Sequence, residues 1–174
     1  MQDVFEILKF SIPALLVFAI TYFLMNKFFE REKNLKSEEN KIQARKEYIP
    51  LRIQAYERAT LYLERIDLNN LLMRASKPHY TSRMLYQELM KHIRDEYAHN
   101  MVQQIYISQR SWNQLKQAKE ETVKIVNMAM NSMKDNATGM DLSKVIFDIV
   151  SKLEKIPTDT ALEKLRADFQ KGIM

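Results

Sequence analysis

The chain has 174 residues, no cysteine and a formal net charge of +5, from 27 basic and 22 acidic residues. The lack of cysteine excludes disulfides, thiolate metal sites and a cysteine nucleophile. Acidic residues are interspersed with the basic ones, so the charge pattern is not that of a nucleic-acid-binding protein, and we expect no nucleic-acid partner. With only 2 glycines and 4 prolines, the chain favours long elements joined by few turns.

The N-terminal stretch FSIPALLVFAITYFLM (residues 10–25) contains no charged residue. A membrane-spanning helix needs about 20 mostly apolar residues, so the stretch, extended to residues 7–29, predicts a single transmembrane helix after a short extracytoplasmic segment, residues 1–6. A cleaved signal peptide is one alternative, but Asp3 and Glu6 precede the apolar run and no small-residue cleavage site follows it. A buried core helix is another.

Basic residues flank this stretch unequally. Lys9 is the only one on its N-terminal side, whereas Lys27, Arg31 and several more up to Lys46 follow it. The positive-inside rule then predicts a protein of the bacterial inner membrane with its N-terminus outside and its C-terminal domain in the cytoplasm. The same basic run, Lys27 to Lys46, predicts contact with anionic lipid headgroups.

Residues 30–49 are rich in helix formers and predict a helical stalk that continues the first helix. Apolar residues recur every seventh position at Phe28, Leu35, Ile42 and Ile49. A coiled coil needs a second apolar row, which is absent, so the stripe fits either a solvated stalk or self-association into a dimer. Pro50 is predicted to bend or end this helix.

Residues 50–174 show helical periodicity almost throughout and predict an antiparallel bundle of four or five helices, so the fold class is all-α. The predicted helices cover 51–66, a short piece after the capping residue Asp67, 81–106, a helix from Ser108 or Ser111 to about 133, 140–156, and a last helix after Pro157, which is expected to stop its predecessor. Capping boxes are predicted at Ser111/Gln114 and Thr160/Glu163. SKPHY (76–80) and DNATG (135–139) are predicted to be a loop and a turn.

The apolar positions of these helices predict the core of the bundle. The predicted inward-facing residues are Leu51, Ala55, Ala59, Leu63, Ile66, Leu85, Leu89, Ile93, Tyr97, Met101, Ile105, Trp112, Leu115, Ala118, Thr122, Ile125, Ala129, Met133, Leu142, Val145, Ile146, Ile149, Val150, Leu153, Leu162, Leu165 and Phe169.

Polar residues between 88 and 104 share one helical face, because Glu88, His92, Glu96, His99 and Gln103 follow one another at steps of three and four. Glu96 and His99 form a Glu-x-x-His pair, the spacing found in di-iron bundles. Such sites need a second pair, which is missing, so Glu96, His99 and His92 are only weak metal candidates. The alternatives are a solvated face or a polar network that fixes the helix to its neighbours.

Other catalytic signatures are absent from the sequence. It contains no P-loop, no G-x-S-x-G and no H-E-x-x-H motif. We therefore predict no cofactor and no enzymatic activity.

Two segments, LRIQAYERATLYLERIDLNNLLMR (51–74) and IRDEYAHNMVQQIYISQRSW (93–112), are similar to a family of small single-pass membrane proteins of Bacteroidota whose function is unknown. The resemblance implies no catalytic residues. It implies that the two helices face each other through polar and aromatic side chains. The residues it marks as characteristic are Gln54, Tyr56, Glu57, Arg58, Glu64, Arg65, Glu96, His99, Asn100, Gln103, Gln104 and Tyr106.

The leading functional hypothesis is a membrane-anchored helical interaction or scaffold module, which binds a protein partner or forms a homo-oligomer. The first alternative is an accessory subunit of a larger inner-membrane complex, similar in plan to the peripheral stalk of an ATP synthase. The second is a metal-dependent enzyme that uses the Glu96/His99 face.

Overall fold

The computed structural model describes the backbone of residues 2–171 and the side chains of residues 15–171. This part of the chain is helical, with one isolated bridge between Thr81 and Thr138 and no strand. Six α-helices and one 3₁₀-helix follow one another as α1 (Gln2–Ile66), α2 (Leu68–Ala75), α3 (Ser82–Asn100), η1 (Met101–Ile105), α4 (Gln109–Asn131), α5 (Gly139–Ser151) and α6 (Pro157–Lys171). The chain divides into two compact units, Met1–Ile49 and Pro50–Met174.

The predicted transmembrane helix at 7–29 is wrong. Within the part of the chain whose side chains are described, no helix combines the length and apolarity needed to cross a membrane. Residues 1–6 and residues 7–14 of the predicted span lie outside the described side chains.

Several predictions depended on that helix, and they are corrected with it. They are the single-pass fold class, the membrane and its anionic lipid headgroups as partners, the inner-membrane location, and the topology with the N-terminus outside and the C-terminal domain in the cytoplasm.

Neither Pro50 nor Pro157 ends a helix. Helix α1 continues through Pro50 to Ile66, although an interior proline costs about 3 kcal/mol. The buried face of α1 begins shortly after Pro50, at Ala55 and Tyr56, and tertiary packing of such a face favours the helical conformation. Pro157 does not stop a helix, because α5 already ends at Ser151; it is instead the first residue of α6, where its missing N–H has no partner to lose.

The core of the second unit is formed by its α-helices, whereas η1 contributes no buried residue. Most of the predicted inward-facing residues are fully or nearly buried, among them Leu63, Leu89, Leu115 and Ile146. Two large aromatic residues, Tyr56 and Tyr62, are buried as well, although the sequence placed them only beside the stripe of α1.

The predicted third helix ends earlier than expected, at Asn100, and η1 follows it. A 3₁₀-helix has three residues per turn, so the period of 3.6 no longer brings residues onto the core-facing side. Met101 and Ile105, both predicted to be buried, are 44% and 70% exposed, and Val102 between them is 64% exposed. Leu51 and Leu153 are also exposed, at the ends of the buried faces.

Side-chain caps begin four of the helices. Asp67 accepts hydrogen bonds from the backbone N–H groups at the start of α2, as predicted, and Thr81 caps α3. Thr138 and Asp141 form a capping box at α5 that the sequence analysis overlooked. The two predicted capping boxes are not formed, because Ser108 caps α4 and the Thr160 hydroxyl donates to the carbonyl of Ile156.

The loops before α3 and α5 are joined by the Thr81–Thr138 bridge. The Gly139 N–H donates to the Tyr80 carbonyl at 2.7 Å. A Cβ at position 139 would lie 3.1 Å from that carbonyl oxygen, so the close approach favours glycine. This contact fixes the start of α5 beside the start of α3.

Candidate functional site

The two segments that carry the family resemblance meet through an ion pair. The Arg65 guanidinium, near the end of α1, donates to Glu96 Oε1 on α3 at 2.9 Å. Asn100 is buried, and its side-chain amide donates to the backbone carbonyl of Glu96 at 2.8 Å. Helices α1 and α3 thus contact each other with polar groups at this level.

The other residues of the predicted polar cluster do not gather around this pair. Tyr56 is buried on another side of the unit, and Gln103 and Tyr106 are half-buried. The remaining members are exposed to solvent, and they are Gln54, Glu57, Arg58, Glu64, His99 and Gln104.

The weak metal candidates are separated. Glu96 is engaged by Arg65, His99 is exposed, and His92 Nε2 lies 3.9 Å from Glu88 Oε2 one turn away. Among the residues with described side chains, no three histidine or carboxylate groups lie together in a way that could hold a metal ion. The metal-enzyme alternative therefore stays a hypothesis without a structural observation in its favour.

A column of aromatic rings runs beside the Arg65–Glu96 pair. The ring of Tyr62 on α1 lies 6.3 Å from that of Tyr97 on α3, and Tyr97 stacks on Trp112 of α4 at 6.0 Å with an interplanar angle of 29°. The Lys119 ammonium lies 4.2 Å from the centroid of the Tyr97 ring, within the range of a cation–π interaction. Three helices are thereby held at fixed distances.

Tyr62 has an unusual environment within this column. Its hydroxyl is buried and finds no hydrogen-bond partner among the described residues. Burial raises the pKa of the Tyr62 phenol, and the neighbouring Tyr97 and Glu96 act in the same direction. The hydroxyl is therefore kept neutral and carries a desolvation cost.

A groove of about 410 Å³ opens between α3 and α4 where Tyr97 reaches the surface. Its floor consists of Ile93, Tyr97 and Val123, of which the first is fully buried and the others half-buried. Its rim carries the charged side chains of Arg94, Lys119, Glu120 and Lys124. We call this feature the α3–α4 groove.

A second polar centre lies at Asp168 on α6. Its Oδ2 atom accepts hydrogen bonds from three hydroxyls, those of Tyr56 at 2.5 Å, Ser108 at 2.6 Å and Ser111 at 2.8 Å. The Ser108 hydroxyl also accepts from the Ser111 N–H as the cap of α4. One carboxylate oxygen thus joins the helices α1, α4 and α6; we call this arrangement the Asp168 node.

The protonation states of the node follow from these contacts. Burial alone would raise the pKa of Asp168, but the hydrogen bonds from Ser108, Tyr56 and Ser111 outweigh it and leave the pKa below its ordinary value. Burial and the bond to Asp168 raise the pKa of Tyr56. The guanidinium of Arg52 lies 5.5 Å from the centroid of the Tyr56 ring. Asp168 is therefore the charged acceptor and the three hydroxyls are the donors.

Comparison with known proteins places the chain in a family. Residues 2–172 match a family described as a family of unknown function, DUF7935. The chain belongs to this family. The DUF7935 match confirms that the resemblance seen in the two segments leads to a family without an assigned activity. No curated protein and no solved structure matches the chain.

Sequence reasoning missed both the Asp168 node and the α3–α4 groove. Tyr56 and Asp168 are 112 positions apart, and neither lies in a motif that marks them as partners. Ser108 and Ser111 were visible only as possible helix caps. The basic residues at 94, 119 and 124 would have indicated the groove only if it had been known which faces of α3 and α4 lie next to each other.

The two buried tyrosines provide a matched test of the hydroxyl environments. We expect Tyr56→Phe to lower the free energy of unfolding by about 1–2 kcal/mol, because it removes a donor to a charged acceptor. Tyr62→Phe should leave it unchanged or raise it by up to about 1 kcal/mol, because its hydroxyl has no partner. Urea unfolding of both variants measures the difference, and equal effects would contradict the assigned hydrogen bonds.

Asp168→Asn tests the charge of the node. A carboxylate whose pKa is lowered on folding stabilises the fold fully above its unfolded value, about 3.9, and this contribution is lost as the pH falls through the folded value. We therefore expect the free energy of unfolding to be higher for the wild type than for Asp168→Asn at neutral pH. This difference should become smaller below about pH 4. Asp95→Asn, at an exposed position of α3, is the control. A gap that does not depend on pH would contradict the account.

Proposed function

We propose that this chain is a protein-interaction module without catalytic activity of its own, and that the α3–α4 groove is its docking site. The observation that supports the proposal is the combination of a half-exposed aromatic floor with a charged rim. Apolar clefts of this size with a few convergent polar groups are typical of binding sites. The resemblance also implies a source in Bacteroidota, which stays a prediction.

The floor of the groove is held in place before any partner arrives. Tyr97 is stacked on Trp112, which is buried, and its ring also lies against Tyr62. A preformed site loses less conformational entropy on binding than a flexible one. Aromatic residues and arginine are enriched at interfaces, and this groove offers Tyr97 and Arg94 side by side.

The exposed apolar residues of η1 add to this surface. Met101 follows Tyr97 by one helical turn, and Val102 and Ile105 are exposed directly after it. Single exposed apolar residues need no explanation, but several in one short segment are characteristic of interaction surfaces.

A second candidate function is an accessory subunit of a larger assembly. It is favoured by the stripe of the first unit, since Leu35, Ile42 and Ile49 are all exposed on α1. An apolar row of seven-residue spacing suits packing against another helix. In this case the contact would be made by residues 28–49 instead of the groove.

Site-specific photocrosslinking in the cells of origin tests the proposal. A benzoylphenylalanine in place of Glu120, on the rim of the groove, should crosslink one discrete partner. The same residue in place of Glu154, which is exposed after α5, is the matched control and should not. A partner captured only from position 42 would favour the accessory-subunit function. Equal patterns at positions 120 and 154 would contradict the groove as docking site.

A further inference from the structure

The charges on the rim of the α3–α4 groove determine which partner it fits. Arg94, Lys119 and Lys124 are cationic, and Glu120 is the one carboxylate among the lining residues. No carboxylate of the described residues lies within ion-pair distance of these three cations. The groove therefore has a local positive excess that the fold does not neutralise.

Two of the three cations are oriented by contacts that leave their charge available. The Lys119 ammonium is held over the ring of Tyr97 and donates no hydrogen bond to a described residue. The Nε–H of Arg94 donates to the backbone carbonyl of Met90 at 3.2 Å. The two terminal nitrogens of the guanidinium therefore remain available to a ligand. Arginine presents these donors in a planar fork that matches a carboxylate.

The apolar floor selects the rest of the partner. A ligand that carried only negative charge would leave the half-buried side chains of Tyr97 and Val123 uncovered. A segment with an aliphatic or aromatic side chain between acidic residues satisfies both parts. The side chain would cover Tyr97 and Val123, and its carboxylates would reach Arg94, Lys119 and Lys124.

From this geometry we infer that the α3–α4 groove binds an acidic, amphipathic segment of a partner protein. The inference rests on the proposed function, since it names the chemistry of the partner at the same site. Electrostatic complementarity of this kind sets specificity and the rate of association. An amphipathic helix in a groove between two helices is a common mode of peptide recognition.

Fluorescence anisotropy with a defined peptide tests the inference on the full chain. The probe is a fluorescein-labelled peptide with Leu and Phe at helical spacing and Glu at the positions between them. It should bind, and binding should weaken several-fold when NaCl is raised from about 0.05 to about 0.5 M. A peptide with Lys in place of Glu, and one with Ala in place of Leu and Phe, should not bind.

Charge-reversal variants assign the binding to the groove. The double variant Lys119→Glu/Lys124→Glu should lower the affinity for the acidic peptide at least about tenfold. Lys124→Glu alone changes an exposed position and keeps the Lys119–Tyr97 contact. It should lower the affinity for the peptide less than the double variant does. Lys134→Glu with Lys144→Glu carries the same change of charge on an exposed surface elsewhere in the unit and should have little effect. Circular dichroism checks that each variant is folded.

Three results obtained with a binding peptide would overturn the inference, and the absence of any peptide binding is a fourth. The first is equal loss in the groove and control variants, and the second is equal binding of the lysine peptide. The third is tighter binding of a single-stranded oligonucleotide, which would assign the cations to nucleic acid. If no peptide binds while position 120 still crosslinks one partner in cells, the acidic-segment inference fails and the proposed docking site stands.

Discussion

A single carboxylate, Asp168, fixes how three helices of the second unit meet. Its Oδ2 accepts from Tyr56 of α1, from Ser108 at the start of α4 and from Ser111 one turn further. Hydrogen bonds to a charged acceptor are stronger than neutral ones, and three on one oxygen leave little freedom in the position of α4. The residue directly after Ser111 is Trp112, so the node also determines where this indole lies.

The position of Trp112 has consequences for the surface. Tyr97 stacks on Trp112 and forms the floor of the α3–α4 groove, and Lys119 lies over the same ring. The floor of the groove is thus linked, through Trp112, to the partly buried polar contacts of Asp168. Tyr62 lies at the other end of the column, and its buried hydroxyl has no hydrogen-bond partner among the described residues. Desolvation of this hydroxyl destabilises the packed column.

The sequence predicted local features of the fold well and long-range ones poorly. The helices of the second unit and buried residues such as Leu89, Leu115 and Ile146 follow from a period of 3.6. Pro157 was misjudged because α5 already ends at Ser151 and the proline begins α6. Pro50 does not end α1, whose buried face follows it at Ala55 and Tyr56. Residues 101–105 were misjudged because a change from α to 3₁₀ geometry leaves no signal in the apolar pattern.

The membrane prediction was wrong for a different reason, since it rested on the apolarity of residues 10–25 and was extended to residues 7–29, over Lys9 and Lys27. The candidate site could be predicted only in part. The Arg65–Glu96 contact joins the two segments that the resemblance had marked, whereas the Asp168 node and the groove depend on which helices are neighbours. Such pairings arise from the packing of distant segments, which the spacing of residues along one helix does not encode.

The most direct test of the groove as docking site is an NMR titration of the isotopically labelled full chain with the acidic amphipathic peptide. The account predicts that chemical-shift changes concentrate on α3 and α4 around Tyr97, Lys119 and Lys124, and that the Trp112 indole N–H shifts with them. Changes that concentrate on α5 or α6, with the Trp112 signal unmoved at saturation, would contradict it.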